Sequence, residues 1–264
     1  MNFLQLSRPI PTVSPETIFQ IGSWPVTNSS LMVLLIVILI ALLGAIAVRS
    51  FKIRPGKFQS AIELIYEKMR ELVGQITAND RSTEVIFPLV GAIFIYLGIA
   101  NVIGLMPGLA NIQYGGQPIF RTPTADINTT LGLAFAMIIL IQIASVRDWG
   151  FWGYLGRFFQ FKQVYRGFRQ GFGKGLEAMI EFLVGLLDII SEIAKIISLS
   201  LRLFGNIYAG EVLAVLVLGA IVYVLPALWF TVNALFSVIQ AIVFGSLVTA
   251  YYIIALKPRA EKQS

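Results

Sequence analysis

SLSLRLFGNIYAGE, residues 198–211, sets an arginine, an asparagine and a glutamate inside an almost unbroken run of apolar, helix-forming residues. Arg202 keeps its positive charge at any accessible pH. At the centre of a hydrocarbon layer such a charge costs about 2.5–3.5 kcal/mol on insertion scales. Working outward towards the N-terminus, Asp188, Ser191, Lys195, Ser198, Arg202 and Asn206 are spaced three, four, three, four and four apart, with Glu192 beside them. That spacing predicts one polar stripe along a single helix face. A stripe of this kind is expected to face protein or water rather than lipid. Glu211 follows Arg202 by nine positions, about half a turn round and about 13 Å along an ideal helix.

The rest of the chain supplies the hydrocarbon setting. Of 264 residues, 57% are hydrophobic and 13% charged, and the mean hydropathy is +0.80. A soluble domain carries about 25% charged residues, so an integral membrane protein is expected. The net charge of +6 does not indicate nucleic acid, because the basic residues lie between and after the apolar runs. There is no cysteine and no histidine. Disulfides, His- or Cys-based zinc sites and Cys- or His-dependent triads are therefore excluded. No metal or cofactor site is expected.

The fold class read from these patterns is all-α and membrane-embedded, a single domain over residues 1–264. Residues 1–30 form an outer N-terminal segment and 31–48 a first span. Residues 57–73 form an amphipathic interfacial helix, with Phe58, Ile62, Ile65, Met69 and Leu72 at helical spacing. Spans follow at 85–106, closed by Pro107 and Gly108, and at 127–146. A glycine- and aromatic-rich interfacial loop occupies 147–175. Its GFGKG is not a phosphate loop, since Phe168 and Gly175 stand where the Walker pattern needs Gly and Ser or Thr. Residues 176–218 and 226–256 form a long hairpin. The first arm would be about 64 Å long as one helix, about twice the hydrocarbon thickness. It must be strongly tilted or broken, with Gly205, Gly210 and Gly219 as candidate breaks.

The first span ends in AIA, but the bases Arg49, Lys52, Arg54 and Lys57 follow it rather than precede it, so a retained anchor is expected and not a signal peptide. With the N-terminus outside, the inner segments 49–84, 147–175 and 257–264 hold sixteen Lys and Arg. The outer segments hold only Arg8 and Arg121. This bias orients the chain, with the C-terminus cytoplasmic.

Arg202 could snorkel or pair with Asp188 or Glu192. Snorkelling needs a place near a helix end, and Asp188 lies about 21 Å away along an ideal helix. A functional charge is the better reading, whereas Lys195, close to Glu192 and Asp188, reads as structural. The last helix offers a weaker stripe, Asn233, Ser237 and Gln240, which lines a hydrated path or makes ordinary interhelical hydrogen bonds. Arginine does not relay protons by titration. It can hold a nearby carboxylic acid ionised and block a passing positive charge. This chain places no carboxylate beside it, so the partner acid is expected from another protein.

SLSLRLFGNIYAGE closely resembles the signature of subunit a of F-type ATP synthases. PGKFQSAIEL after the first span, IFPL and NVIGLMPG in the second, and PTADINTTL at the third agree in order. The resemblance covers roughly residues 20–256. It implies the static half of an ion turbine, packed against a ring of c subunits, with peripheral-stalk b subunits, other ATP synthase subunits and membrane lipids as further partners. Two offset half-channels would lead to the ring carboxylates. By resemblance Arg202 is the essential arginine between them, with Asn206 and Gln240 as its polar neighbours. Glu211 would line the outer path, and Asp188 with Ser191 the inner one. Glu192, Ser237 and Asn233 are further path candidates. Some relatives carry a titratable residue where this chain has Asn233.

The resemblance implies no catalytic centre in the chain itself, proton flow as the driving process with sodium left open, and a bacterial inner membrane. The rival reading is a self-contained ion channel or secondary transporter. Against it stand the missing internal repeat and the unpaired arginine. An intramembrane hydrolase lacks the residues it would need.

Overall fold

A computed structural model of the chain describes residues 15–106, 109, 112–114, 117–220 and 224–256. The expectations for residues 1–14, the Pro107–Gly108 stop and the basic tail 257–264 lie outside the described residues. Helices dominate, as the composition requires, and the protein is an all-α membrane protein.

The first described element is one that helix periodicity does not announce. Strands β1 (Thr17–Ile21) and β2 (Trp24–Thr27) pair antiparallel around a two-residue turn, Gly22–Ser23. The hairpin leads directly into α1 (Asn28–Ser50), which the Thr27 hydroxyl caps by accepting from the Ser30 amide at 3.2 Å. Asn28 is fully buried at this junction and accepts from its own neighbour Ser29 and from Glu16. The outer face of α1 bears Leu34, Val37, Ile38, Leu42 and Ile46, all about half exposed. An apolar surface of that size in a 23-residue helix is matched to lipid rather than water.

Helix α2 (Lys57–Thr77) separates its apolar and charged faces, and α3 (Asp80–Gly104) packs against it with Tyr66 edge-on to Phe87 at 4.9 Å. Two very short strands, β3 (Gln113–Tyr114) and β4 (Gln117–Pro118), follow α3. A 3-10 turn, Pro123–Ala125, then feeds α4 (Ile127–Trp149). Asp126 caps α4, accepting from the Asn128 amide at 3.0 Å and the Thr129 hydroxyl at 2.9 Å.

Residues expected to form an interfacial loop fold instead into two short helices, α5 (Phe151–Phe158) and α6 (Phe161–Gln170). The misleading signal was glycine. Gly167 lies inside α6, where a Cβ would stand 2.6 Å from the Lys174 carbonyl oxygen. Its smallness therefore serves close packing rather than flexibility.

Helix α7 (Phe172–Ala220) runs 49 residues without interruption, so none of the three candidate glycines breaks it. Gly210 has a packing role instead: a Cβ there would meet the Asn233 side-chain oxygen at 2.7 Å. Helix α8 (Val224–Leu256) is the last described element. Among the described residues, four helices are long and apolar enough to cross a membrane: α1, α3, α4 and Leu228–Leu256 of α8.

The contacts divide into two compact units, residues 1–130 with 201–250 and residues 131–200 with 251–264. In the first, Met32 and Ile36 of α1 and Ala100 of α3 form a closed cluster flanked by Tyr96, Ile99 and Phe120. In the second, the Ser145 hydroxyl of α4 donates to the Ala255 carbonyl of α8 at 3.3 Å.

Candidate functional site

In the first unit, α7 and α8 run antiparallel, and their polar residues fall into register. The Asn206 amide donates to the Gln240 side-chain oxygen, and one turn further along α7 the Trp229 indole donates to the Gly210 carbonyl at 3.2 Å. Gln240 is 3% exposed, and its Nε2 is buried without a protein partner. Ser237, also buried, returns its hydroxyl to the Asn233 carbonyl at 2.8 Å. This last bond is the local back-bonding common to serines in helices.

Arg202 stands one turn before Asn206. Its side chain is exposed and has no hydrogen-bond or ion-pair partner among the described residues. Its neighbours are Leu201, half exposed, and Leu203, fully buried. The guanidinium therefore projects from the polar stripe of α7, between the exposed Ser198 and Asn206, with no counter-charge beside it among the described residues. A charge in that place calls for a counter-charge from outside the chain.

Glu211 faces a different environment. It lines a cavity of about 30 Å³ together with Asn101 and Gly104 of α3, Thr122, Ile207, Asn233 and Ser237. That volume accommodates about two waters. The Thr122 side chain hydrogen-bonds to the Glu211 carboxyl, and the Arg121 guanidinium is near enough to act on it electrostatically. Asn101 is 2% exposed and accepts from the Thr124 hydroxyl at 2.8 Å, which holds the connection before α4 against α3. Asn101, Arg121 and Thr122 were not singled out from the sequence. A buried asparagine in an apolar span was the available signal for the first; the other two lie some 90 positions from Glu211 and gave none.

The other half of the predicted stripe lies in the second unit and is engaged by a residue that the sequence reading passed over. Arg157 of α5 donates from Nε to Asp188 at 3.4 Å and brings Nη2 to 3.9 Å from Glu192. Glu192 also receives Lys195 at 2.7 Å and the Gln142 amide of α4 at 2.7 Å. Tyr154 of α5 donates to the Gln142 oxygen at 2.9 Å. Burial, with the Glu192 carboxylate adding to it, raises the Tyr154 phenol above its ordinary pKa, which keeps it a donor. The two carboxylates named as possible partners of Arg202 are thus bound to Arg157 and Lys195. Asp188 remains the more open, at 40% side-chain exposure against 14% for Glu192. Ser191 is exposed and takes no part in this network.

Arg157 is 13% exposed, so its removal leaves two neighbouring carboxylates short of compensating charge. Breaking a fully buried pair costs about 3–5 kcal/mol. Allowing for the openness of Asp188, Arg157→Met is expected to cost about 2–3 kcal/mol. Thermal unfolding of the purified protein in detergent checks this, and a variant with wild-type stability would show that the pair contributes nothing.

The family model of the ATP synthase A chain matches residues 30–253. The chain is 34% identical to ATP synthase subunit a of Desulforamulus reducens over 75% of this chain and 66% of that protein. It is 30% identical to ATP synthase subunit a of Moorella thermoacetica over 90% of this chain and 95% of that protein. It is 29% identical to the sodium ion specific ATP synthase subunit a of Propionigenium modestum, over 86% of this chain and 73% of that protein.

Proposed function

This chain belongs to the ATP synthase A chain family, and we propose that within the enzyme it is the static ion-translocating subunit, facing a rotating ring of c subunits. Two offset half-paths lead to the ring carboxylates. Arg202 lies between them, meets each carboxylate in turn and prevents ions from passing straight from one path to the other. The observation that supports this reading is the exposed guanidinium on the polar stripe of α7, without a partner among the described residues. A partner that presents carboxylates at membrane depth supplies the missing counter-charge.

The outer half-path is assigned to the cavity at Glu211, with Asn233 and Ser237 in its wall and Asn206 and Gln240 between it and Arg202. Asn233 does not titrate, so Glu211 is the ionisable group of that wall, and Thr122 and the cavity water carry the remaining hydrogen bonds. On the inner path, Asp188 is the water-facing acid, oriented by Arg157. Glu192, held by Lys195, Gln142 and Arg157, is an anchored neighbour that keeps the network in place. Ser191 lies on the exposed side of the same helix. Each elementary charge crossing 100 mV releases about 2.3 kcal/mol, and blocking the direct route is what directs that energy into rotation.

Proton and sodium remain the two candidate ions, the latter raised by the sodium-specific relative. The orientation favoured by the basic residues places the N-terminus outside a bacterial inner membrane. In this reading the chain does not conduct alone. Reconstituted by itself in vesicles under an imposed potential, it is expected to pass no more protons than the lipid, with flux appearing when the c ring is added. Conduction by the isolated chain would favour a self-contained channel or transporter and overturn the proposal.

A further inference from the structure

Helix α6 presents two stripes side by side. Phe161, Tyr165 and Phe168 are spaced four and three apart, and Lys162, Arg166 and Arg169 repeat that spacing one residue later. Adjacent helix positions differ by about 100°, so the aromatic and basic stripes are neighbours rather than opposites. Phe161, Tyr165 and Phe168 are 63%, 68% and 50% exposed, and Phe172 just beyond them is 82% exposed. Arg166 and Arg169 are exposed, and neither has a carboxylate partner among the described residues. Lys174 is also exposed, with its ammonium donating to the Gln170 side chain at 3.3 Å.

The surrounding sequence carries no counter-charge. Between Asp148 and Glu177 there is not one acidic residue. Of the bases in this interval, Arg157 is committed inward to Asp188 and Glu192. Arg166, Arg169 and Lys174 are exposed and have no carboxylate partner among the described residues. The orientation of α6 is built in, because Gly167 sits against the Lys174 carbonyl and the Ala178 methyl group, where a Cβ would lie within 2.6 and 2.9 Å. Gly167 therefore holds one side of α6 to the first turns of α7.

We propose that α6 is a binding surface for anionic phospholipid headgroups, with the aromatic stripe seated at the lipid interface and the adjacent arginines and Lys174 on the phosphates. Exposed ring surface is costly in water, and rings and cations side by side are both satisfied where acyl chains meet headgroups. A purely aqueous acidic partner would answer the arginines and leave the rings unburied. The surface is independent of the ion path and does not rest on the role assigned to Arg202.

The test uses the full chain in phosphatidylcholine vesicles containing a photoreactive phosphatidylglycerol or a photoreactive phosphatidylcholine, with labelled peptides mapped after illumination. The phosphatidylglycerol probe is expected to label residues 159–176 roughly threefold or more above the phosphatidylcholine probe. That excess disappears in about 0.5 M salt, where screening acts within a few ångströms, and in the R166Q/R169Q/K174Q variant. It survives in R166K/R169K. Labelling of α1, which both probes reach through its apolar face, stays constant and reports that the variants are folded. Equal labelling by both probes in the wild type, or an excess that persists after neutralisation, overturns the proposal. So does equal labelling combined with loss of another ATP synthase subunit when the neutralised variant is purified as the whole enzyme, which would assign the surface to a protein partner.

Discussion

Replacing Arg202 with alanine is expected to abolish ATP synthesis in vesicles energised by an ion gradient, while the chain still folds and assembles. The side chain makes no contact that the fold depends on: it is exposed, without a partner among the described residues, and the buried packing beside it belongs to Leu203. In the proposed role, what is lost is its interaction with a passing carboxylate, about 4 kcal/mol at 4 Å and an effective dielectric near 20. That corresponds to about a thousandfold in the balance between the ionised and neutral forms of the ring acid. Arg202→Lys retains the charge but not the planar fork, and should recover only a small part of the rate. Synthesis within about twofold of wild type in the alanine variant would make the arginine structural.

The second large effect is expected at Glu211. Gln has almost the same shape, and its side-chain oxygen can still accept from Thr122, so the cavity with Asn101, Asn233 and Ser237 should persist. The variant loses only the ionisable group. A positioned proton-transfer group contributes about a hundredfold or more to a rate, and Glu211→Gln should lower gradient-driven synthesis by about that factor without loss of assembly. Asn233, which cannot titrate, leaves no second acid on α8 to take over the task. If the glutamine variant synthesises ATP normally, Glu211 is a packing residue and the outer path runs elsewhere.

Reading the sequence reached the membrane class, the long apolar elements and the arginine-centred motif because each is a local pattern. Apolar length, the 3.6-residue period and a charge where hydrocarbon is expected are all visible within a few turns. The contacts that give the polar residues their settings are not local. Arg157 meets Asp188 from 31 positions away, and Thr122 meets Glu211 from 89 positions away. No periodicity reports such pairs. The antiparallel register of Asn206 with Gln240 belongs to the same class of information, although the two residues had been linked through the family resemblance.

Two misses have different causes. The β1–β2 hairpin carried a usable signal, since Gly22–Ser23 separates two runs containing β-branched and aromatic residues. It was hidden by the neighbouring span. Helices α5 and α6 were masked by glycine content read as flexibility. In the fold, Gly167 supplies close approach, and the aromatic spacing that should have argued for a helix was taken as interfacial composition. Arg157 was lost with that segment, because a base in a loop gives no indication that it is turned inward.

The uninterrupted course of α7 bears on mechanism. A 49-residue helix is far longer than an upright crossing needs, and the proposal uses that excess to lay a long face along the ring. At Gly210, α8 comes close to α7 through the Asn233 side chain.

The central claim is that Arg202 separates two open half-paths, and passive ion flux through vesicles holding only the membrane sector tests it most directly. The account predicts that Arg202→Ala vesicles pass protons as fast as wild type or faster under an imposed potential, because the barrier is removed while both half-paths remain. Flux that falls to the level of empty vesicles would show that the arginine is part of the conducting route, and would contradict the account.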